Sequence, residues 1–165
     1  MRVLHRALII GIAGAMLAAP VAGQKADDQL HPRSVQLLRE GEALIAAGKY
    51  IEADDALEAA LVIDPRNRAA FVAMARVAHK QKLYGQAIRF TNKALLLEPT
   101  DRQAIAVQGE AMVELGALPR ARDNLAKLQK LCPTGCPELA ALNGAITRGP
   151  TIVAAQAKPA VKTTN

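Results

Sequence analysis

The chain has no tryptophan, two phenylalanines and two tyrosines, so aromatics are 2% of its 165 residues. Sheet proteins draw heavily on aromatic and β-branched residues. A chain this poor in aromatics and this rich in alanine and leucine points instead to closely packed helices. Lys/Arg runs interleaved with aromatics are also missing, which removes the usual footprint of nucleic-acid binding. The formal net charge is +6. Arg2 and Arg6 fall in a removable-looking segment, leaving 19 basic residues against 15 acidic ones, with signs alternating along the helices as on ordinary solvated faces.

Catalytic signatures are absent too. The sequence holds no Gly-rich phosphate loop, no His-Glu-x-x-His and no Gly-x-Ser-x-Gly. Of three histidines, His5 lies in the N-terminal segment, His31 precedes Pro32 in a polar stretch, and His79 falls on a helix where it is expected to be exposed. Asp54, Asp55 and Glu58 sit early in a helix, where acidic residues oppose its dipole. No catalytic residue, metal site or cofactor is expected, and the chain reads as a non-enzyme.

The ends differ from the body. Residues 1–23 have the three parts of a secretory signal: basic Arg2, His5 and Arg6, an uncharged apolar run from Ala7 to Ala19, and small residues closing at Gly23. Cleavage is expected after Gly23. The alternative is an uncleaved anchor, but the run is shorter than the roughly 20 residues a spanning helix needs. The expected location is therefore periplasmic or secreted, with membrane contact only during export. Residues 24–33 read as a polar linker. Residues 149–165, with Pro150, Pro159, Lys158 and Lys162, read as a disordered basic tail.

Between the ends lies a repeat of 34 residues. Pro65, Pro99 and Pro133 keep that step, as do Gly41, Ala75 and Gly109, and Ala53, Ala87 and Ala121. Ala60 and Ala94 match, with Leu128 departing. Tyr50 and Tyr84 match, with Leu118 in the third copy. Large apolar residues recur at Leu37, Phe71 and Ile105. Each copy divides into two helices, broken near Gly48, Lys82 and Gly116. The mid-helix Gly41 and Gly109 imply close approach of a neighbouring helix, expected opposite Ala53, Ala87 and Ala121. A proline disfavours the helical conformation of the residue before it, so the three prolines should end the second helices. Asn67 can cap the second hairpin, and Thr100 with Gln103 suggests a capping box for the third. Residues 137–148 predict one more helix, with Leu139, Leu142, Ala145 and Ile146 on one face.

This pattern resembles the tetratricopeptide repeat over residues 34–135. The resemblance implies an all-α fold: hairpins at 34–67, 68–101 and 102–135, a capping helix at 136–148, and a short right-handed α-solenoid. It also implies that the first helices line a concave groove. The residues it would assign to that groove are Leu38, Arg39 and Glu42 from the first copy, Val72, Arg76, His79 and Lys80 from the second, and Gln103, Val107 and Glu110 from the third. Family members that clamp chaperone C-terminal carboxylates do so with Lys, Asn and Arg. The matching places here hold Leu38, Glu42, Ala73, Gln103 and Val107, so that ligand class is not expected.

Cys132 and Cys136, in Cys-Pro-Thr-Gly-Cys-Pro, are the only cysteines. In an oxidising exported compartment two close cysteines usually pair, and a bridge here would pin the last helix to the third copy. The string also resembles the metal site of Sco-type copper chaperones, and two thiolates suit Cu(I). Three function classes are compatible with these features. The first is an adaptor that binds a partner peptide or subunit in its groove. The others are a thiol-redox or copper-handling accessory and a self-assembling envelope component.

Overall fold

The computed structural model describes residues 29–151; the export-type segment 1–23, most of the linker and the tail beyond Thr151 lie outside them. Seven helices occur among the described residues: α1 (Pro32–Ala46), α2 (Tyr50–Ile63), α3 (Arg68–Lys80), α4 (Tyr84–Leu97), α5 (Arg102–Glu114), α6 (Leu118–Leu131) and α7 (Pro137–Arg148). They form three antiparallel hairpins, α1/α2, α3/α4 and α5/α6, with α7 packed on both α5 and α6. Each hairpin stacks on the next, and α1 touches α3 and α3 touches α5, so the first helices form a row. None of these helices is long and apolar enough to cross a membrane.

The turn within each hairpin is the same device three times. Gly48, Lys82 and Gly116 all have positive φ, at 74°, 63° and 73°. At each, two amides reach back to the closing carbonyls of the first helix. In the first hairpin Gly48 N–H donates to Ile45 O at 3.0 Å and Lys49 N–H to Leu44 O at 2.9 Å. The second has Lys82 to His79 and Leu83 to Ala78, the third Gly116 to Val113 and Ala117 to Met112. This paired pattern is a Schellman-type helix end, and it needs a left-handed residue that glycine adopts at least cost. Lys82 is the exception.

The second helices end where the prolines require. Asp64 and Glu98, each followed by proline, are extended, with φ of -141° and -142°, and Cys132 before Pro133 also leaves the helical region, at φ -135° and ψ 74°. The next first helix then begins at a side-chain cap. Asn67 Oδ1 accepts from Ala70 N–H at 3.2 Å. The cap of α5 is Asp101, whose Oδ1 accepts from Ala104 N–H at 2.8 Å, not the Thr100–Gln103 box expected from sequence. Thr100 is drawn back instead to Glu98, which accepts from its backbone N–H and its hydroxyl.

Those caps also tie hairpin to hairpin. Asn67 Nδ2 donates to Ser34 Oγ at 2.9 Å, and Ser34 Oγ donates to Ala60 O at 2.8 Å, all three residues being buried. One step later the ion pair Arg68–Asp101 occupies the corresponding places. Beside the first junction Asp64 accepts from His31 N–H at 3.0 Å and from Arg66. The Arg66 side chain first, and then the backbone amides, hold its carboxyl below the usual range.

Small residues set the spacing inside the stack. Ala53, Ala60, Ala87, Ala94 and Ala121 are wholly buried. Gly41 lies beneath Leu57: a Cβ there would stand 2.6 Å from Leu57 Cγ. Gly109 lies beneath Leu142 of α7, where a Cβ would stand 2.6 Å from both methyl carbons. The close partners of these glycines are therefore leucines, one from the same hairpin and one from the last helix, and not the facing alanines. Leu128, which departs from the Ala60/Ala94 pattern, is also fully buried and packs in a cluster with Leu142 and Ala145.

Two substitutions test these points. Gly41→Ala gains about 1 kcal/mol of helix propensity but overpacks a fully buried leucine, which costs typically 1–3 kcal/mol, so urea unfolding should show net destabilisation. Lys82→Gly should stabilise by about 0.5–1 kcal/mol, because relief of the left-handed strain exceeds the entropy that glycine adds to the unfolded chain. An unchanged or lowered urea midpoint for Lys82→Gly would show that the lysine sits there without strain.

Candidate functional site

The row of first helices ends against α7, and between them runs an open cleft of about 680 Å³. Its walls are Ile45 of α1, Arg76, His79 and Lys80 of α3, Gln103, Ala106, Val107 and Glu110 of α5, and Pro137, Glu138, Ala141 and Arg148 of α7. Helical spacing explains the selection. Arg76, His79 and Lys80 are three and four residues apart on one face, as are Gln103, Val107 and Glu110. The apolar part is made by Ile45, Ala106, Val107 and Ala141. Charge of both signs surrounds it, Arg76, Lys80 and Arg148 against Glu110 and Glu138.

The residues named from sequence divide between this cleft and elsewhere. Arg76, His79, Lys80, Gln103, Val107 and Glu110 all line it. Leu38, Arg39 and Glu42 are not among its walls: Leu38 packs half-buried against the first core cluster, and Arg39 and Glu42 are exposed. Val72 is only 2% exposed and packs with Ala94 and Ala104 in the core. Val72 lies one turn before Arg76 on the same stripe of α3, at the end of the helix where Ala94 of α4 and Ala104 of α5 cover it. The contribution of α7 was not visible in sequence, since only the tertiary packing of Leu142 on Gly109 brings that helix beside α5.

His79 is half-buried, not exposed. Its ring lies edge-on to Tyr84 with centroids 5.3 Å apart. Its Nε2 is buried without a hydrogen-bond partner, and so is Glu138 Oε2 across the cleft. Burial, first, pushes the proton affinity of His79 below its ordinary value of 6.5. Glu110 and Glu114 oppose the shift and Lys80 adds to it. Both atoms are sealed from solvent, so each is a polar group that the packing beside the cleft leaves unsatisfied. No group of three or more His, Cys, Asp or Glu able to hold a metal occurs among the described residues.

Cys132 and Cys136 sit at the junction of α6 and α7, with Cα atoms 5.9 Å apart and their sulfurs in bridging position. Cys132 is buried and stands at the C-cap of α6. Cys136 stands at the N-cap of α7, which has no side-chain cap hydrogen bond. The pair occupies the junction that Asp64–Asn67 and Glu98–Asp101 hold in the two earlier copies.

A tetratricopeptide repeat family model matches residues 44–110 of this chain. The TPR domain of Sgt2 from Aspergillus fumigatus superposes with a TM-score of 0.66 at 22% identity, over 82% of this chain and 90% of that one. The first TPR of Spaghetti (RPAP3), bound to the HSP90 peptide SRMEEVD, gives 0.64 at 22% identity, over 70% and 92%. The type III secretion translocator chaperone SycD of Yersinia enterocolitica gives 0.63 at 18% identity, over 78% and 96%. No curated protein matches the sequence. The fold is that of a tetratricopeptide array, and the family's sequence pattern is matched over residues 44–110.

The buried ring carries a pH dependence of stability. With the folded affinity below the unfolded one, the unfolded state takes up the proton first as pH falls through about 6.5. The His79 contribution is therefore intact above that pH and declines below it. The drop in thermal midpoint between about pH 7.5 and pH 5 should be shallower in His79→Gln than in the wild type. Equal slopes would remove the imidazole from the balance.

Proposed function

We propose that this chain is an exported interaction module that seats an extended segment of another protein in the cleft between α3, α5 and α7. The observation that carries the reading is the cleft itself: an apolar floor and charges of both signs, on first helices held in a row. Peptide binding by the same fold in Spaghetti (RPAP3), with an HSP90 peptide, supports it. The ligand differs, however. Leu38, Glu42, Ala73, Gln103 and Val107 supply no cationic clamp for a terminal carboxylate, and Ala73 is buried. The segment that fits here carries small apolar anchors for Ile45, Val107 and Ala141, an acidic residue for Arg76 and Lys80, and a basic one for Glu110. Nothing in this arrangement pairs a nucleophile with a base, so we read the chain as a binding module and not an enzyme.

Affinity capture from periplasmic extract with residues 24–165 tests the reading. Arg76 and Lys80 are both exposed, so reversing both charges (Arg76→Glu with Lys80→Glu) leaves the core untouched. The double variant should lose capture of the partner by tenfold or more, as expected for charges that steer and hold a ligand. Undiminished capture by the double variant would remove the cleft from the interaction. Recovery of this chain alone would favour self-assembly, for which the exposed Val62 and Leu96 at the ends of α2 and α4 are available.

The export reading rests on residues 1–23 and on the cysteine pair, which an oxidising compartment would keep bridged. The intact mass of protein isolated from the envelope should correspond to a chain starting at Gln24 and lacking the two thiol hydrogens. A mass retaining Met1 would favour the anchor. Two alkylatable thiols in the native protein would return the pair to metal or redox chemistry.

A further inference from the structure

The cleft is built from α1, α3, α5 and α7, and the second helices α2 and α4 take no part in it. Their exposed sides carry a pattern of their own. Val62 of α2 and Leu96 of α4 are 84% and 79% exposed and hold the same place in successive copies. Ile63 and Leu97 beside them are exposed as well. A single exposed leucine is ordinary, but large apolar side chains left open at repeated places mark a contact surface.

The charges on the same two helices are opposite in sign. α2 carries Glu52, Asp54, Asp55 and Glu58 and no base, whereas α4 carries Arg89 and Lys93 and no acid. Helical spacing sets Asp55, Glu58 and Val62 on one exposed stripe of α2. The 34-residue step sets Arg89 and Leu96 on the matching stripe of α4, with Lys93 beside them. Among the described residues none of these charges enters an ion pair within the chain. The acids of α2 crowd one another: burial, and then Glu58 and Asp55, raise the Asp54 carboxyl above its ordinary value of 3.8. At the far end of the stripe Ile51 is 72% exposed, and its counterpart on α4 is Gly85, where an added Cβ would meet nothing within 4 Å.

This surface is complementary to itself. A two-fold axis between α2 and α4, parallel to both, lays α2 of one copy along α4 of the other, twice over. Val62 then meets the partner's Leu96, Asp55 and Glu58 face the partner's Arg89 and Lys93, and Ile51 lies over the partner's Gly85. An axis across the helices would set α2 on α2, acid against acid. Helix α6 is also basic, but Lys130 takes the place of Val62 and Leu96 there, so only α4 offers α2 both charge and apolar contact. We propose that two copies of this chain associate back to back through α2 and α4 in this way, leaving the cleft of each copy uncovered. The dimer does not depend on what the cleft binds.

Sedimentation equilibrium of the protein isolated from the envelope, from micromolar to submillimolar concentration, should give twice the chain mass. A monomer throughout that range would overturn the proposal. Leu96→Asp should raise the dimer dissociation constant tenfold or more, as for a residue at the centre of an interface; an unchanged constant would count against the surface. The sharpest test exchanges charge at exposed places. Asp55→Lys with Glu58→Lys makes the stripe of α2 basic like that of α4, and Arg89→Glu with Lys93→Glu makes α4 acidic like α2. Each variant alone should be monomeric, and an equimolar mixture should recover the dimer mass, because each helix then finds its opposite. Dimers of either variant alone, or a mixture that stays monomeric, would overturn the pairing. Arg76→Glu with Lys80→Glu should leave the dimer mass unchanged, and its loss would move the contact to the cleft and overturn the back-to-back arrangement.

Discussion

The closeness with which neighbouring helices approach governs this molecule. Dispersion attraction between helices grows only when side chains meet without voids, and here the contact is set by residues with little or no side chain. Gly41 accepts Leu57 directly onto the backbone of α1, and Gly109 accepts Leu142 of α7 in the same way. Ala53, Ala87 and Ala121 are each wholly buried one copy apart. A glycine within a helix costs about 1 kcal/mol relative to alanine, and the leucine it admits buries fully, worth about 1.5–3 kcal/mol. The balance favours the glycine. The second of these contacts brings α7 alongside α5 and so builds the far wall of the cleft.

Register between hairpins depends on a second set of interactions, which are polar. Ser34, Asn67 and the carbonyl of Ala60 make a buried hydrogen-bonded chain, and Arg68 with Asp101 takes its place one copy later. Deeper in the stack Gln108 donates to Asn92 at 2.7 Å and accepts from Asn124 at 3.0 Å, linking α4, α5 and α6. Buried polar groups tolerate few alternative partners, because an unmade hydrogen bond there costs about 1–3 kcal/mol. Such links select one stacking arrangement among the many that interchangeable alanines and leucines would allow. At the last junction no polar side chain caps α7, and the Cys132/Cys136 pair stands in that place.

Much of this was legible in the sequence, and particular residues show why. The 34-residue step of Pro65, Pro99 and Pro133 marks helix ends because proline constrains the residue before it, whatever surrounds it. The cap at Asn67 was equally local. Asp101 and Thr100 compete for the next cap, because both residue types accept from a helix N-terminus. The choice fell to Glu98 and Arg68, each engaging one of the two neighbours. Arg76, Lys80, Gln103 and Glu110 could be placed on one face from helical spacing alone. Val72 shares that stripe one turn earlier, and its burial was not readable because it depends on Ala94 of its own hairpin and Ala104 of the next, which pack over it.

Local sequence sufficed for the helices, their boundaries and their pairing into hairpins, since these follow from backbone restrictions and from periodicity within a few turns of chain. The cleft was decided by packing between elements. Glu138 and Arg148 enter it from α7, beside side chains of α5, and His79 of α3 is set near Glu110 and Glu114 of α5. Those placements depend on segments distant in the chain, where the identity of a residue says what it can bond but not what stands opposite.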